Sequence, residues 1–357
     1  MNNIVTIYLI KRYIYFFITI LISLGLFFLG IDLLQNYKYL PSSANLRLLY
    51  VFYNSFFIFT LILPLSLCFA FILTLVSMIR TNEFVALLSL GLTPKKIYSP
   101  IIMLSSIILL LLIVSQVTPL AYSYDNKSNI LNNRYLSNSK TDLFLKYDEY
   151  FIYIKKLYPL EKRASGIEIF HIKGDHIINS ISSSNAYFKD NRWYVMDSRS
   201  VYNDEVITWD KSKITIKNKR ILDILDGFNP QILNNVYDSK SNYSIQDALY
   251  TLFLFNDQNI STHKIRSIIY YKLFSSFFIL PLMIFIYSVI TMNNRFFNIG
   301  IFLLSTIFLT LLIWGILFMF YKFSLSSIIS PELGVLLPLI IVSISFLMFT
   351  KIINRKI

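Results

Sequence analysis

The chain has 357 residues, of which 55% are hydrophobic and only 15% are charged. A soluble domain carries roughly 25% charged residues, so the composition indicates an integral membrane protein. The formal net charge is +13, but the bases are scattered and form no arginine-rich arm. This excess suits orientation in a membrane and contact with anionic lipid better than nucleic-acid binding. The single cysteine, Cys68, excludes an intramolecular disulfide.

Six apolar stretches are long enough to cross a membrane, which takes about 20 residues each. They cover residues 13–34, 48–78, 97–120, 270–292, 297–321 and 333–350. The first follows two bases and so resembles a signal peptide, but its core is too long and no small-residue cleavage site follows it. We therefore expect six retained transmembrane helices.

The lysines and arginines predict the orientation of the chain, because short cytoplasmic segments carry an excess of bases. A cytoplasmic N-terminus places nine bases in short inside segments and three in short outside loops. The inside set is Lys11, Arg12, Arg80, Lys95, Lys96, Arg295, Lys351, Arg355 and Lys356, and the outside set is Lys38, Arg47 and Lys322. We therefore expect both termini in the cytoplasm and the long segment 121–269 outside it.

The segment between the third and fourth spans changes character and predicts β-strands. Residues 151–155 and 167–173 alternate between apolar and polar side chains, and residues 186–189 and 192–195 flank a turn as in a hairpin. Several such strands favour an antiparallel sandwich or jelly roll, whose edges can accept a strand from another chain. From Ser244, a good N-cap, the period becomes helical.

The predicted fold is a helical membrane protein with six transmembrane helices and an extracytoplasmic, jelly-roll-like antiparallel β domain. Residues 1–120 hold the first three spans and a short cytoplasmic helix within 80–96. Residues 121–269 form the β domain with its linker helix, and residues 270–357 hold the last three spans. Pro64 and Pro281 lie inside spans, where they are either tolerated kinks or hinges.

Several kinds of catalytic motif are absent from the sequence, which has no Walker A loop, no H-E-x-x-H and no G-x-S-x-G. His171 and His176 flank a Gly-Asp turn, which fits a solvated hairpin better than a metal site. The spans hold almost no ionisable groups, with Asp32 the clearest exception, so an external energy source is favoured over ion coupling. We expect no catalytic residue, no metal and no cofactor in this chain.

The loop between the second and third spans, residues 80–96, reads as a short, mostly apolar helix. A helix over about 82–90 puts three apolar side chains on one face by their i, i+3, i+4 spacing: Phe84, Leu87 and Leu88. An apolar face exposed to the cytoplasm is unfavourable unless another protein covers it.

Signals at both ends of this helix support it. Glu83 lies in the first turn, where an acid suits the helix dipole. Gly91 is expected to end the helix and Pro94 to prevent its continuation. Arg80 supplies the base before its start.

The order of six spans, with a β domain after the third, resembles the LptF/LptG (YjgP/YjgQ) family of lipopolysaccharide-export permeases. The resemblance covers essentially the whole chain. Its specific residues are Glu83, Val85, Gly91 and Thr93 in the loop and Leu63-Pro64-Leu65 in the second span. Thr81 departs from the family, in which an arginine or similar polar residue is common at that position.

Between the two paralogues, the chain looks more like LptG. Residues 144–146 leading to 151–154, and then 166–170, resemble the start of the LptG β domain. Pro331 followed by residues 336–338 resembles its sixth span.

The resemblance implies a subunit of an ABC transporter in the inner membrane of a Gram-negative bacterium. Two paralogous permeases would form a heterodimer above a dimer of cytoplasmic ATPases, which bind the ATP. The complex would extract lipopolysaccharide and pass it to a periplasmic bridge of β-jellyroll proteins, with a single-span membrane protein as a further partner. The chain itself would not be an enzyme.

The resemblance also implies site residues. Those expected to couple to the ATPase are Arg80, Glu83, Phe84, Leu87, Leu88 and Gly91. For Glu83 the choice lies between an ion pair with an ATPase arginine and a simple helix-start acid.

Two further sets are candidates for contact with lipopolysaccharide. Three bases at the outer rim would meet its phosphates, or would be ordinary solvated bases: Lys38, Arg47 and Lys322. Apolar side chains of the β domain would line an acyl-chain slot, or would pack its core: Phe151, Tyr153, Phe170, Ile172 and Trp193.

Two other functions remain open at this stage. One is a permease for another lipid or lipoprotein, which would also use a helix in this loop. The other is a membrane scaffold with a periplasmic sandwich domain, which would need no such loop and would not copurify with an ATPase.

Overall fold

The computed structural model describes most of the chain. The described residues are 2–132, 140–147, 150–158, 161–173, 176–190, 192–202, 215–225, 244–256, 262–290 and 298–356. They fall into two compact units, which are taken separately below.

The first unit contains the membrane helices and comprises Met1–Leu131, Asn242–Leu252 and Ser261–Ile357. The second contains the sheet and comprises Asn132–Ser241 and Phe253–Ile260. The sheet unit is therefore shorter than the β domain expected over 121–269. The difference arises because a helix before the sheet, over Ser123–Leu131, packs on the second membrane helix.

Six helices of the described residues are long and apolar enough to cross a membrane, as predicted. In chain order the helices are α1 (Asn2–Asn36), α2 (Ala44–Arg80), α3 (Glu83–Ser89), α4 (Pro94–Val117), α5 (Ser123–Leu131), α6 (Ile245–Asn256), α7 (His263–Phe274), α8 (Ile279–Val289), α9 (Ile299–Leu325) and α10 (Leu337–Lys356). The spans are α1, α2, α4, α7 with α8, α9, and α10 with the turn before it.

Helix α2 lies at the centre of the membrane unit. In its most apolar stretch 56% of the residues are buried, against 11% in α1. A buried hydroxyl joins three helices, since Tyr13 of α1 donates to the Leu67 carbonyl of α2 at 3.1 Å and lies 2.8 Å from Ser105 Oγ of α4. Polar contacts of this kind fix the mutual positions of apolar helices in a bilayer.

The fourth span is broken near Pro281, where the sequence allowed a kink or a hinge. Helix α7 ends at Phe274, a 3₁₀ turn covers Ser275–Phe278, and α8 follows. Pro281 explains the break, because proline cannot donate to the carbonyl four residues earlier and its ring clashes with that carbonyl. Helix α2, in contrast, runs unbroken through Pro64.

The sixth span begins with a π-helical turn over Glu332–Leu336. Pro338 accounts for the irregularity, because it has no N–H for the carbonyl of Gly334. Gly334 is also required by packing, since a Cβ there would lie 2.6 Å from the Cβ of Ser324 on α9.

The sheet unit holds six antiparallel strands in the order of the chain. The strands are β1 (Lys140–Tyr147), β2 (Tyr150–Tyr158), β3 (Arg163–Lys173), β4 (His176–Lys189), β5 (Arg192–Tyr202) and β6 (Thr215–Ile224). The predicted antiparallel β domain is confirmed as a meander of these strands. Their pairings do not test the crossing connections of a jelly roll.

The predicted hairpin over residues 186–195 is confirmed. Lys189 pairs with Arg192 and Phe188 pairs with Trp193, and between the strands Asp190 has a φ of 49°. A left-handed residue at this place matches the twist of a tight hairpin turn.

A crease crosses the whole sheet. Pairing is interrupted along one line through the sheet while the register on both sides of that line is kept, at two consecutive positions between β4 and β5 and at one position between the other neighbouring strands. A separate shift of register lies between His171 and Ile172 of β3. The skipped positions lie opposite one another: Asp142, Lys155, Gly166, Ser184, Asp197 and Arg220. At these positions the backbone is left-handed on every second strand, with φ values of 57° at Asp142, 68° at Gly166 and 47° at Asp197.

The crease changes which side chains face the core. Along β2 the buried residues are Ile152 and Ile154 before the crease and Leu157 after it, so the period of two is broken once. These side chains join the fully buried Trp193 in one apolar cluster on a single face of the bent sheet.

Candidate functional site

Helix α3 is set by the chain reversals at its two ends. Asn82, with a φ of 56°, turns the chain after α2. At the other end Gly91 has a φ of 80°, and its N–H donates to the Leu88 carbonyl at 2.9 Å while Leu92 N–H donates to Leu87 at 3.2 Å. This is the glycine-dependent ending that the sequence predicted.

One face of α3 packs into the core of the membrane unit. Phe84 is only 3% exposed, and its ring centroid lies 5.8 Å from that of Tyr287 on α8. Leu87 and Leu88 are partly buried against the same core. Phe84 is therefore a core residue of this chain and does not present its ring to an ATPase, whereas Leu87 and Leu88 are only partly buried and their contact with an ATPase stays a prediction.

The other face of α3 is exposed and partly apolar. Val85 is 47% exposed and Leu90 is 61% exposed, with exposed Ala86 and Ser89 beside them. We call Val85, Ala86, Ser89 and Leu90 the outer face of α3. Its flanks carry exposed bases, namely Arg80, Lys95 and Lys96.

Glu83, at the start of α3, is bound to the first transmembrane helix. Its Oε2 forms an ion pair with Arg12 and accepts a hydrogen bond from the Tyr8 hydroxyl at 2.7 Å. Its Oε1 accepts from Thr81 Oγ1 at 2.8 Å. Arg12 also donates through Nη2 to Ser77 of α2 at 2.6 Å. We call Tyr8, Arg12, Ser77, Thr81 and Glu83 the α3 anchor.

The anchor keeps Glu83 ionised. Partial burial alone raises the pKa of a carboxyl, but the hydrogen bonds from Tyr8 and Thr81 and the charge of Arg12 outweigh it. The pKa of Glu83 is therefore held below its ordinary value. The carboxylate stays charged at neutral pH, and the Glu83 side chain is 31% exposed, so a group from outside the chain can still reach it.

The sequence predicted Glu83 but missed Arg12. The two residues are 71 positions apart and lie on different helices, so no local pattern joins them. A weak signal existed, since Tyr8 and Arg12 are one helical turn apart on α1 and present two donors on one side.

A second polar cluster lies at the opposite end of α1. Asp32, the clearest ionisable group that the sequence placed inside a span, forms an ion pair with Lys127 of α5 at 2.5 Å. Asp32 also accepts from Tyr50 at 2.8 Å, and Lys127 donates to the fully buried Asn54 at 2.9 Å. The cluster joins α1, α2 and α5, so Asp32 has a structural role in the membrane unit.

A model of the family described as lipopolysaccharide export system permease LptF/LptG matches residues 7–351, which is nearly the whole chain. The chain belongs to the LptF/LptG family. A comparison with curated proteins finds no match to it. Family membership and the six apolar helices make it a multi-pass inner-membrane permease of lipopolysaccharide export. The family model covers LptF and LptG together, so the LptG-like assignment stays a prediction.

The three rim bases of this LptF/LptG permease are exposed, and the contacts described below lie within their own segments. Lys38 lies in a 3₁₀ turn after α1. Arg47 donates to the Pro41 carbonyl at 2.7 Å, and the ammonium of Lys322 lies 5.3 Å from the ring centroid of Phe318 on its own helix. Their contact with lipopolysaccharide stays a prediction.

The structure divides the predicted acyl-chain residues between two faces of the sheet. Phe151 pairs across strands with Phe170 on the half-exposed face, and Tyr153 lies on the same face opposite Glu168. Trp193 is fully buried on the other face. Trp193 is therefore a core residue and does not share a slot with Phe151, Tyr153 and Phe170.

Proposed function

We propose that this permease extracts lipopolysaccharide from the inner membrane with energy from a separate cytoplasmic ATPase that contacts the outer face of α3. The observation that carries the proposal is α3 itself. It is a seven-residue helix between two spans, held at its first residue by the α3 anchor and exposing Val85 and Leu90. A short helix fixed to the membrane unit yet open on one side is suited to receive a push from a partner.

The absence of a Walker A loop from the sequence supports an external ATPase. In this proposal the ATP is bound by that partner and this chain needs no cofactor of its own. The excess of bases around α3 and at both termini supports, by the positive-inside rule, a cytoplasmic position for this end of the permease and a periplasmic position for the sheet unit.

The other proposed partners follow from the family. They are a paralogous permease, a periplasmic bridge of β-jellyroll proteins and a single-span membrane protein. The mostly exposed apolar surface of α1 supports a neighbouring membrane protein, although lipid also suits it.

The proposal is tested by affinity purification from a membrane extract followed by an ATPase assay. We expect an ABC ATPase and a second permease to copurify, and ATP hydrolysis to rise on addition of lipopolysaccharide but not of phosphatidylethanolamine. Stimulation by another lipid or by a lipoprotein would support the alternative permease. Recovery of the chain without any ATPase would support the scaffold and contradict the proposal.

A further inference from the structure

The carboxylate at the start of α3 is held from within the chain, and by the one transmembrane helix that is otherwise least buried. Arg12 and Tyr8 of α1 both reach Glu83 Oε2. The same guanidinium reaches Ser77 of α2 through its other nitrogen. The planar fork of arginine therefore joins α1, α2 and α3 at one point.

We propose that Arg12 is a positioning residue that links α3 to transmembrane helix α1, so that displacement of α3 by the ATPase is passed to α1 through the Arg12–Glu83 pair. The proposal rests on the proposed function for its second half, the displacement by an ATPase. Its first half, that Arg12 holds α3, concerns this chain alone.

The geometry favours a link over a plain helix-start acid. A helix-start acid needs only the backbone dipole and local N–H groups. Glu83 instead takes donors from two other places, Tyr8 and Arg12 on α1 and Thr81 before α3. The Arg12 side chain is mostly buried, with only 16% of it exposed, as expected of a residue that holds two helices together.

The anchor also leaves room for an incoming group. An ionised carboxylate offers about four acceptor positions, and three donors occupy Glu83. A cationic side chain of a partner can therefore approach Glu83, whose side chain is 31% exposed, and share the carboxylate with Arg12. Force on Glu83 then reaches α1 through the intact pair, because α3 has no other ionised contact with α1 among the described residues.

Helix α1 is well placed to respond. Only 11% of its most apolar stretch is buried, against 56% in α2, so a shift of α1 disturbs less packing than a shift of α2 would. Its far end is held by the Asp32–Lys127 pair. A pull at Arg12 therefore favours a tilt of α1 about that far end.

The test uses the whole complex in nanodiscs and four variants. Arg12→Gln removes the charge, Arg12→Lys keeps it without the fork, and Tyr8→Phe removes one hydroxyl. Lys11→Gln is the matched control, because Lys11 is an exposed base at the neighbouring position. Hydrogen–deuterium exchange of residues 84–89 reports on the docking of α3, and lipopolysaccharide-stimulated ATP hydrolysis reports on coupling.

We expect Arg12→Gln to raise exchange across 84–89 at least about five-fold and to lower stimulation to a third or less, while unstimulated hydrolysis persists. In both exchange and stimulation, Arg12→Lys should give values between those of Arg12→Gln and the wild type. Lys11→Gln should match the wild type in both measurements. If Arg12→Gln does not insert, Tyr8→Phe should still raise the exchange measurably.

The proposal would be overturned if residues 84–89 exchanged at the same rate in Arg12→Gln as in Lys11→Gln. It would also be overturned if Arg12→Gln exchanged faster but kept full stimulation of ATP hydrolysis by lipopolysaccharide. A wild-type complex that shows no stimulation by lipopolysaccharide would instead refute the proposed function. The exchange result would still decide whether Arg12 holds α3, so the two failures are distinguishable.

Discussion

Glu83 makes the ion pair and the hydrogen bonds that hold the loop helix α3 to the rest of the membrane unit. It begins α3, carries the charge that Arg12 pairs with, and remains partly exposed. The sequence could place it at a helix start and, by resemblance, at a contact with an ATPase. Its partners on α1 could not be predicted, because they depend on how helices far apart in the chain meet in space.

Replacing Glu83 tests whether this charge matters for coupling. We expect Glu83→Ala to leave the protein inserted and to lower lipopolysaccharide-stimulated ATP hydrolysis by about ten-fold, since a hydrogen bond to a charged group contributes about 1.5–3 kcal/mol. Glu161→Ala is the control, because Glu161 is an exposed acid of the sheet unit. Normal recovery of the complex together with normal stimulation would contradict the coupling role.

The ionisation of Glu83 has a predictable pH dependence. Its pKa in the folded chain lies below the ordinary value of 4.5, so the anchor contributes its stabilisation above pH 4.5 and loses it as the pH falls through the lowered pKa. The groups that face the carboxyl are Tyr8 and Arg12 of α1 and Thr81 before α3.

Infrared spectroscopy measures this shift directly. The difference spectrum between the wild type and Glu83→Gln isolates the carboxylate band of Glu83, which should persist below pH 4.5. Disappearance of the band at or above that pH would show that the donors do not hold the charge.

At the scale of elements, the apolar pattern predicted all six spans and the type of the β segment. Such patterns are local, so they reveal that a helix forms and which residues share its face. They do not reveal which face turns inward, and for α3 the structure shows that Phe84 packs within the chain itself. Pro281 marked the fourth span for a kink or hinge, but the 3₁₀ form of the break and the crease of the sheet were not predicted, since both lie inside runs whose composition reads as regular.

The contact between α1, α2 and α5 depends on a mostly buried ion pair. Lys127→Gln leaves Asp32 charged without its ammonium, which should destabilise the membrane unit by about 3 kcal/mol. Thermal unfolding in detergent, followed by loss of monomer on gel filtration, measures the effect. The double variant Asp32→Asn with Lys127→Gln should recover part of the lost stability. A double variant that unfolds at the same temperature as Lys127→Gln would show that the loss does not come from the unpaired charge of Asp32. Lys38→Gln, at an exposed base near the same end, should change little.

The crease depends on Gly166. Its φ of 68° is unfavourable for a side chain, and a Cβ would lie 2.9 Å from the Cβ of Lys155 on the neighbouring strand. Gly166→Ala should therefore destabilise the sheet by about 1–3 kcal/mol, measured by limited proteolysis of the purified chain against temperature. Gly30→Ala is a matched control, since nothing lies within 4 Å of a Cβ at that position. Equal resistance of the two variants would show that the crease tolerates a side chain.

At the scale of the whole molecule, the structure separates the parts that hold the permease together from those left available to partners. Helix α2 and the buried face of α3 are internal, while most of α1 and the outer face of α3 are exposed. The family resemblance predicted the export role and the family match confirms it at that level. The partners themselves stay proposals, because a single chain shows which surfaces are open but not what covers them.

The proposed coupling depends on contact between an ATPase and the outer face of α3. The measurement is ATP-dependent transfer of lipopolysaccharide from vesicles containing the full complex to a soluble β-jellyroll acceptor, for the wild type and for Val85→Asp with Leu90→Asp. We predict transfer that requires ATP in the wild type and loss of at least nine-tenths of it in the double variant, with the membrane unit still folded. Full transfer by the double variant, or transfer by the wild type without ATP, would contradict the claim that an ATPase drives this permease through α3.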